Sequence, residues 1–233
     1  MKSRIWVIVG AIVIIIAAAS TAAFLGQPTN TSINSSNQQA TQNSELHQIG
    51  IIVKTDGDSV KVQATSVPAS VQVPSKMISE MKSKAYKDVQ SYKSTASSLK
   101  TDMQNIAKKY NFTADVTITS QFGTDKLPFS ATVDGISMLP TLKDGQDVTA
   151  LKTKDFKVGD IVIASHPTYG LIIKRVAEIS GGKVFLKSDN RNVVTYNVET
   201  PLSDGVVEIE TFTKKPLDTW LSLKNVVGVV KEY

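Results

Sequence analysis

A chain of 233 residues with 41% hydrophobic content has room for one substantial domain with additions, or for two small ones, and enough apolar side chain to bury a core. The absence of cysteine excludes disulfides, thiolate metal sites and cysteine nucleophiles together. A formal charge of +5 is too mild to imply nucleic acid, and no Arg-rich or aromatic-interleaved patch argues for it.

Met1-Lys2-Ser3-Arg4 is followed by an uncharged apolar run from Ile5 to Leu25. That matches the roughly 20 residues a helix needs to cross a hydrocarbon core. The small residues Ala17 to Ala19, Ala22 and Ala23 also suit a cleaved secretory signal, but the run exceeds the roughly 7 to 15 residues of a signal's apolar region. A retained anchor over residues 1–26 is therefore expected. Lys2 and Arg4 hold its short end on the cytoplasmic side, which puts the rest of the chain outside the cell membrane. Residues 27–45 are Gln, Asn, Ser and Thr with almost nothing to bury, the composition of a flexible linker. Glycosylation-type triplets at Asn30, Asn34 and Asn111 are compatible with an outside location.

An α+β module is expected over residues 46–125. Ile49 to Lys54 and Ser59 to Thr65 are strand-like runs joined by Thr55-Asp56-Gly57-Asp58, a hairpin signal. Then Ile78, Met81, Ala85, Val89, Tyr92, Ala96, Leu99, Met103, Ile106 and Tyr110 recur at steps of three and four, which predicts one long helix from about Ser75 to Tyr110. Its other faces carry an excess of lysine over acid, which suits a solvated face and, near an anchor, contact with anionic membrane lipid. Ala114 to Ser120 alternates as a strand.

The remaining residues, 126–233, read as mainly β, and they hold the candidate chemistry. Val133-Asp134-Gly135-Ile136-Ser137-Met138-Leu139-Pro140-Thr141-Leu142 presents a serine between a glycine and a Pro-Thr-Leu turn. A serine nucleophile needs a base. His47 lies in a polar run and His166 in a Pro/Gly loop, where it reads as a turn residue. A lysine base is the known variant of the triad logic. Gly170 to Val176 supplies one, because Lys174 stands inside a strand otherwise made of Leu, Ile and Val. A lysine must be neutral to accept a proton, and burial can lower its ordinary pKa of about 10.4 by up to 3 to 5 units. Alternation places Arg175 on the opposite face, as a surface or ion-pair residue.

These segments resemble, in order, the conserved boxes of the type I signal peptidase family. Gly135-Ile136-Ser137-Met138 with Pro140-Thr141-Leu142 is similar to its nucleophile motif. Gly159-Asp160-Ile161-Val162 is similar to its G-D-I-V-V turn, Lys174-Arg175-Val176 to its K-R-V strand and Ser188-Asp189-Asn190-Arg191 to its G-D-N-R loop. The closing Asn225 to Val230 resembles its final strand. The resemblance implies a signal-peptidase or LexA-like β catalytic domain and a serine endopeptidase with Ser137 as nucleophile and Lys174 as general base. It would cut signal peptides from exported preproteins after small residues, with no cofactor or metal. Gly135, Ile136, Ser137 and Met138 would hold substrate and oxyanion, and Asp160, Asp189 and Asn190 would support the site. Gly135 stands where gram-negative relatives carry an assisting serine, so the oxyanion would rely on backbone N–H groups, chiefly that of Ser137. Ser188 replaces a glycine, and Val193-Val194-Thr195-Tyr196 replaces the family's next run, which leaves Thr195 as the candidate hydroxyl to orient Lys174. LexA-type self-cleaving proteins share the Ser-Lys core and give a second reading. A third is an inactive membrane-tethered binding protein on the same fold.

Overall fold

The computed structural model describes residues 46–65, 68, 70–201 and 207–233. The expected anchor at 1–26 and linker at 27–45 lie outside the described residues. Among the described residues no helix is long and apolar enough to cross a membrane.

The chain builds two principal sheets. The first has the order β2-β1-β3-β4, from β1 (His47–Thr55), β2 (Val60–Thr65), β3 (Phe112–Ser120) and the short β4 (Gly123–Thr124). β1 pairs antiparallel with β2 through the turn at Gly57 and parallel with β3. A parallel neighbour requires a crossover, and the chain supplies one with α1 (Ser75–Gln90) and α2 (Ala96–Lys109). Ile49, Ile51 and Val53 alternate onto the inner face of β1 and pack against Met77, Met81, Val89, Leu99 and Met103 of the helices. This is the period-two strand meeting the 3.6-period helix, each with one apolar side.

The single long helix predicted over Ser75 to Tyr110 is two helices. Ser91 ends the first by donating its N–H to Lys87 C=O, and Thr95 opens the second with a capping box in which its hydroxyl accepts from Ser98 N–H while Ser98 Oγ accepts from Thr95 N–H. Each cap satisfies orphan groups that an unbroken helix would have paired internally. The apolar spacing ran across the break without a gap, so periodicity alone concealed it. Tyr92 falls in the elbow and is 42% exposed instead of lying in the core stripe. On the lysine-rich faces, Lys84 bridges Asp88 and Asp102, and Lys109 pairs with Glu80.

The second sheet has seven strands in the order β12-β9-β8-β7-β13-β6-β5. They are β5 (Pro128–Thr132), β6 (Asp147–Leu151), β7 (Ile161–His166), β8 (Gly170–Ser180), β9 (Lys183–Lys187), β12 (Thr219–Ser222) and β13 (Val226–Glu232). A separate two-stranded ribbon, β10 (Val194–Pro201) with β11 (Val207–Lys214), leaves the sheet between β9 and β12. With the two helices and the short turns aside, the described chain is mainly β, as expected. The two sheets meet at a few specific bonds. Lys152 Nζ donates to the carbonyls of Asp88, Val89 and Ser91 at 2.8, 2.9 and 2.7 Å, closing the C-terminal end of α1 from the far side. Its ammonium also stands 5.5 Å from the centre of the Phe129 ring.

Candidate active site

Ser137 follows the edge strand β5. After Val133 the chain turns at Gly135, whose φ of +90° suits glycine and whose N–H donates to Asp144 Oδ1 at 2.7 Å. The turn lifts Ile136 and Ser137 above the sheet. It is held from below by Met138 and Leu142, both fully buried in the core of the second sheet. Ile136 is exposed beside the serine at 49%.

Lys174 comes from the middle of β8, paired with Val162 of β7. Its flanking same-face neighbours Ile172 and Val176 are buried, and the lysine is itself only 4% exposed. Its Nζ lies 2.7 Å from Ser137 Oγ and 3.0 Å from Ile173 C=O. Burial pulls the Lys174 ammonium below its ordinary value of 10.5. The carboxylates of Asp218 and Asp189 pull the other way, and burial prevails. The neutral amine is thus favoured more than in a free lysine, at the nitrogen that meets the Ser137 hydroxyl.

The other sequence-predicted residues divide by what they touch. Asn190 clamps the serine turn with two bonds: its N–H donates to Ser137 C=O at 2.9 Å and its Nδ2 donates to Ile136 C=O at 3.0 Å. Asp189 accepts a two-pronged contact from Arg175, Nε at 2.8 Å and Nη2 at 2.6 Å, and also the Thr141 hydroxyl at 2.6 Å. Arg175 reaches further to Gly159 C=O at 2.7 Å. The Arg175–Asp189 pair thus ties β8 to the segment just after Ser137, and Arg175 is the ion-pair residue that strand alternation suggested. Asp160 serves its own turn, accepting from Lys157 N–H with its carboxylate and from Val176 N–H with its carbonyl.

Two expectations need correction. Thr195 does not orient Lys174: it sits exposed on the β10–β11 ribbon with its hydroxyl 3.5 Å from that of Thr213, and the amine is steadied by Ile173 C=O instead. The residues around Thr195 pair with their own hairpin partner, which carries them out of the seven-stranded sheet. The Met138 side chain is core, so only its main chain is available to a substrate or oxyanion. Ser188, the replacement for glycine, is buried and donates its hydroxyl to Leu217 C=O. Among the described residues Ser137 N–H has no hydrogen-bond acceptor, whereas Gly135 N–H is occupied by Asp144.

A cleft of about 370 Å³ opens beside the pair. Phe129, Val133, Val148, Ile163 and Leu171 make it largely apolar, and Ser130 to Asp134 run along one wall. Sequence reasoning missed Gln90 and Tyr92, which also line it from the elbow between the helices. No local signal marks them, because their position depends on where α1 ends and on how the first sheet docks.

A hydroxyl within proton-sharing distance of a buried lysine on a β domain is the arrangement expected of serine peptidases of the Ser-Lys kind, the class that holds both LexA-type and signal peptidases. A family model described as Peptidase S24-like matches residues 89–209, more than half of the chain and including both residues of the pair, and the chain belongs to that family. Comparison with curated proteins finds no match. Comparison with solved structures finds none either.

Proposed function

We propose that this protein is a membrane-anchored endopeptidase that removes signal peptides from exported preproteins, cutting after small residues. The observation that carries it is the 2.7 Å contact between Ser137 Oγ and the buried Lys174 Nζ. Ser137 Oγ attacks the scissile carbonyl as its proton passes to neutral Lys174. Collapse of the tetrahedral intermediate breaks the C–N bond, and Lys174 returns the proton to the departing amine. Water then attacks the acyl-enzyme, Lys174 takes its proton, and Ser137 is released reprotonated with the new carboxylate product. The N–H of Ser137, without an acceptor among the described residues, is the donor best disposed toward the oxyanion.

The preprotein reading is supported by the ordered boxes from Gly135 to Arg191 and by the apolar run from Ile5 to Leu25, which would anchor the catalytic residues outside the cytoplasm and beside exported chains. Lysines on the helices would then lie near anionic lipid. The S24-like match favours self-cleavage as a second reading, because LexA-type members of the Ser-Lys class cut their own chains.

Full-length protein in detergent, incubated with a preprotein carrying a small-x-small site, tests both. Cleavage after that site, lost in Ser137→Ala and in Lys174→Ala while both variants remain folded, is the expected result. Cleavage of its own chain with the preprotein intact favours the second reading. Turnover retained by either alanine variant refutes the roles assigned to the pair.

A further inference from the structure

The cleft beside Ser137 has a far end built by parts of the chain that the proposed chemistry does not use. The register of β5 on β6 turns the main-chain groups of Phe129, Ala131 and Val133 toward β6, so those of Ser130, Thr132 and Asp134 face the open edge. That edge is where an extended peptide can add as a further strand.

The edge stops abruptly. Ser130 N–H donates to Gly57 C=O at 3.2 Å, and Gln90 Nε2 donates to the same carbonyl at 3.2 Å. Gly57 has φ of +100°, and a Cβ there would meet the Phe129 main chain at 3.2 Å, so the β1–β2 turn abuts β5 with no space for a chain between them. Tyr92 stands next along the elbow on the wall of the cleft. This wall is fixed in place, because Lys152 binds three main-chain carbonyls at the end of α1 with its ammonium. From Asp134 to Ser130 the open edge measures about 13 Å at roughly 3.3 Å per residue. An extended peptide therefore has room for about five residues before it reaches Gly57.

We propose that the Gly57 turn, with Gln90 and Tyr92, is an end stop for the substrate groove, so that the peptidase reads about five residues on one side of the scissile bond and excludes a bulky side chain at the last of them. The inference rests on the peptidase reading above and gives the α+β module a role in specificity.

Labelled peptides lengthened one residue at a time on either side of a small-x-small site test it. Their binding to full-length Ser137→Ala protein is followed by fluorescence anisotropy, and their cleavage by the wild type is measured in parallel. On one side, affinity should rise over about five residues and then stay within about twofold. Tryptophan in place of alanine at the last position should weaken binding at least about tenfold, a penalty that added Tyr92→Ala cuts below about threefold and added Tyr92→Phe preserves. Tyr92 is exposed enough that its truncation opens no core cavity. Affinity that keeps rising well beyond that length on both sides, a tryptophan penalty indifferent to Tyr92→Ala, or no binding by any peptide would overturn the end stop. Peptides that obey the length limit but go uncut by the wild type would sink the hydrolase reading alone.

Discussion

Asn190 offers the sharpest test of how Ser137 is held. Its N–H to Ser137 C=O bond is main chain and survives substitution, whereas its Nδ2 to Ile136 C=O bond, 3.0 Å long, does not. Asn190→Ala therefore removes one neutral hydrogen bond from the serine turn, which keeps its second clamp, and also the bond that Asn190 Oδ1 accepts from Asn192 N–H within its own loop. Such a bond is worth about 0.5–1.5 kcal/mol net. If that energy goes into the position of Ser137 Oγ, kcat/KM falls by about two- to thirteenfold. The loss should sit in kcat, since the clamp acts on the attacking atom and leaves the apolar walls of the cleft alone. Asn190→Asp should lose more, because a carboxylate cannot donate and would face the Ile136 carbonyl. Its negative charge also favours the protonated lysine, so the pH at which activity rises should move upward in Asn190→Asp and stay put in Asn190→Ala. Initial rates on a fluorogenic peptide across pH, alongside urea unfolding, measure both effects. A loss above about a hundredfold in the alanine variant, a change confined to KM, or identical pH profiles for the two variants would refute the positioning role.

Lys174 must shed its proton to act, so kcat/KM should rise with pH through an ionisation lying below the ordinary lysine value, and Lys174→Arg should be inactive because guanidinium stays charged. Asp218 is the largest influence holding that proton on, so Asp218→Asn should move the rise to lower pH; an upward shift would contradict the electrostatics. Burial pulls the Lys152 ammonium down to about 8, so over the window from there to 10.5 the unfolded chain holds a proton that the folded one has lost. The stability of wild type relative to Lys152→Met should therefore increase with pH across that window, by urea titration at several pH values, and a decrease would show that the three carbonyls hold the charge against burial. Gly135→Ala meets no atom within 4 Å but would sit at φ of +90°, so its cost should be backbone strain of about 1–3 kcal/mol, read as a lowered unfolding midpoint.

The candidate reactive groups could be read along the chain because each is announced locally: a serine behind glycine and a lysine among aliphatic strand residues. The β character of residues 126–233 followed from short apolar runs set between turns, and the ion-pair nature of Arg175 from strand alternation. The break between the helices was hidden because Tyr92 and Ala96 continued the apolar spacing through it, and only the caps at Ser91 and Thr95 reveal that the main chain turns there. Thr195 looked suitable as a hydroxyl near the final box, yet its pairing with Thr213 draws it onto the ribbon.

The sequence by itself determined which side chains could do chemistry, since the kind of group and its near neighbours set intrinsic reactivity and burial tendency. Tertiary structure alone decided which of them meet. Asn190 grips a turn 54 positions away, and Gly57 and Gln90 reach the edge of a strand that belongs to another sheet. Hydrogen bonds of this range depend on the docking of whole layers, and no spacing within one segment encodes where a separate sheet comes to rest.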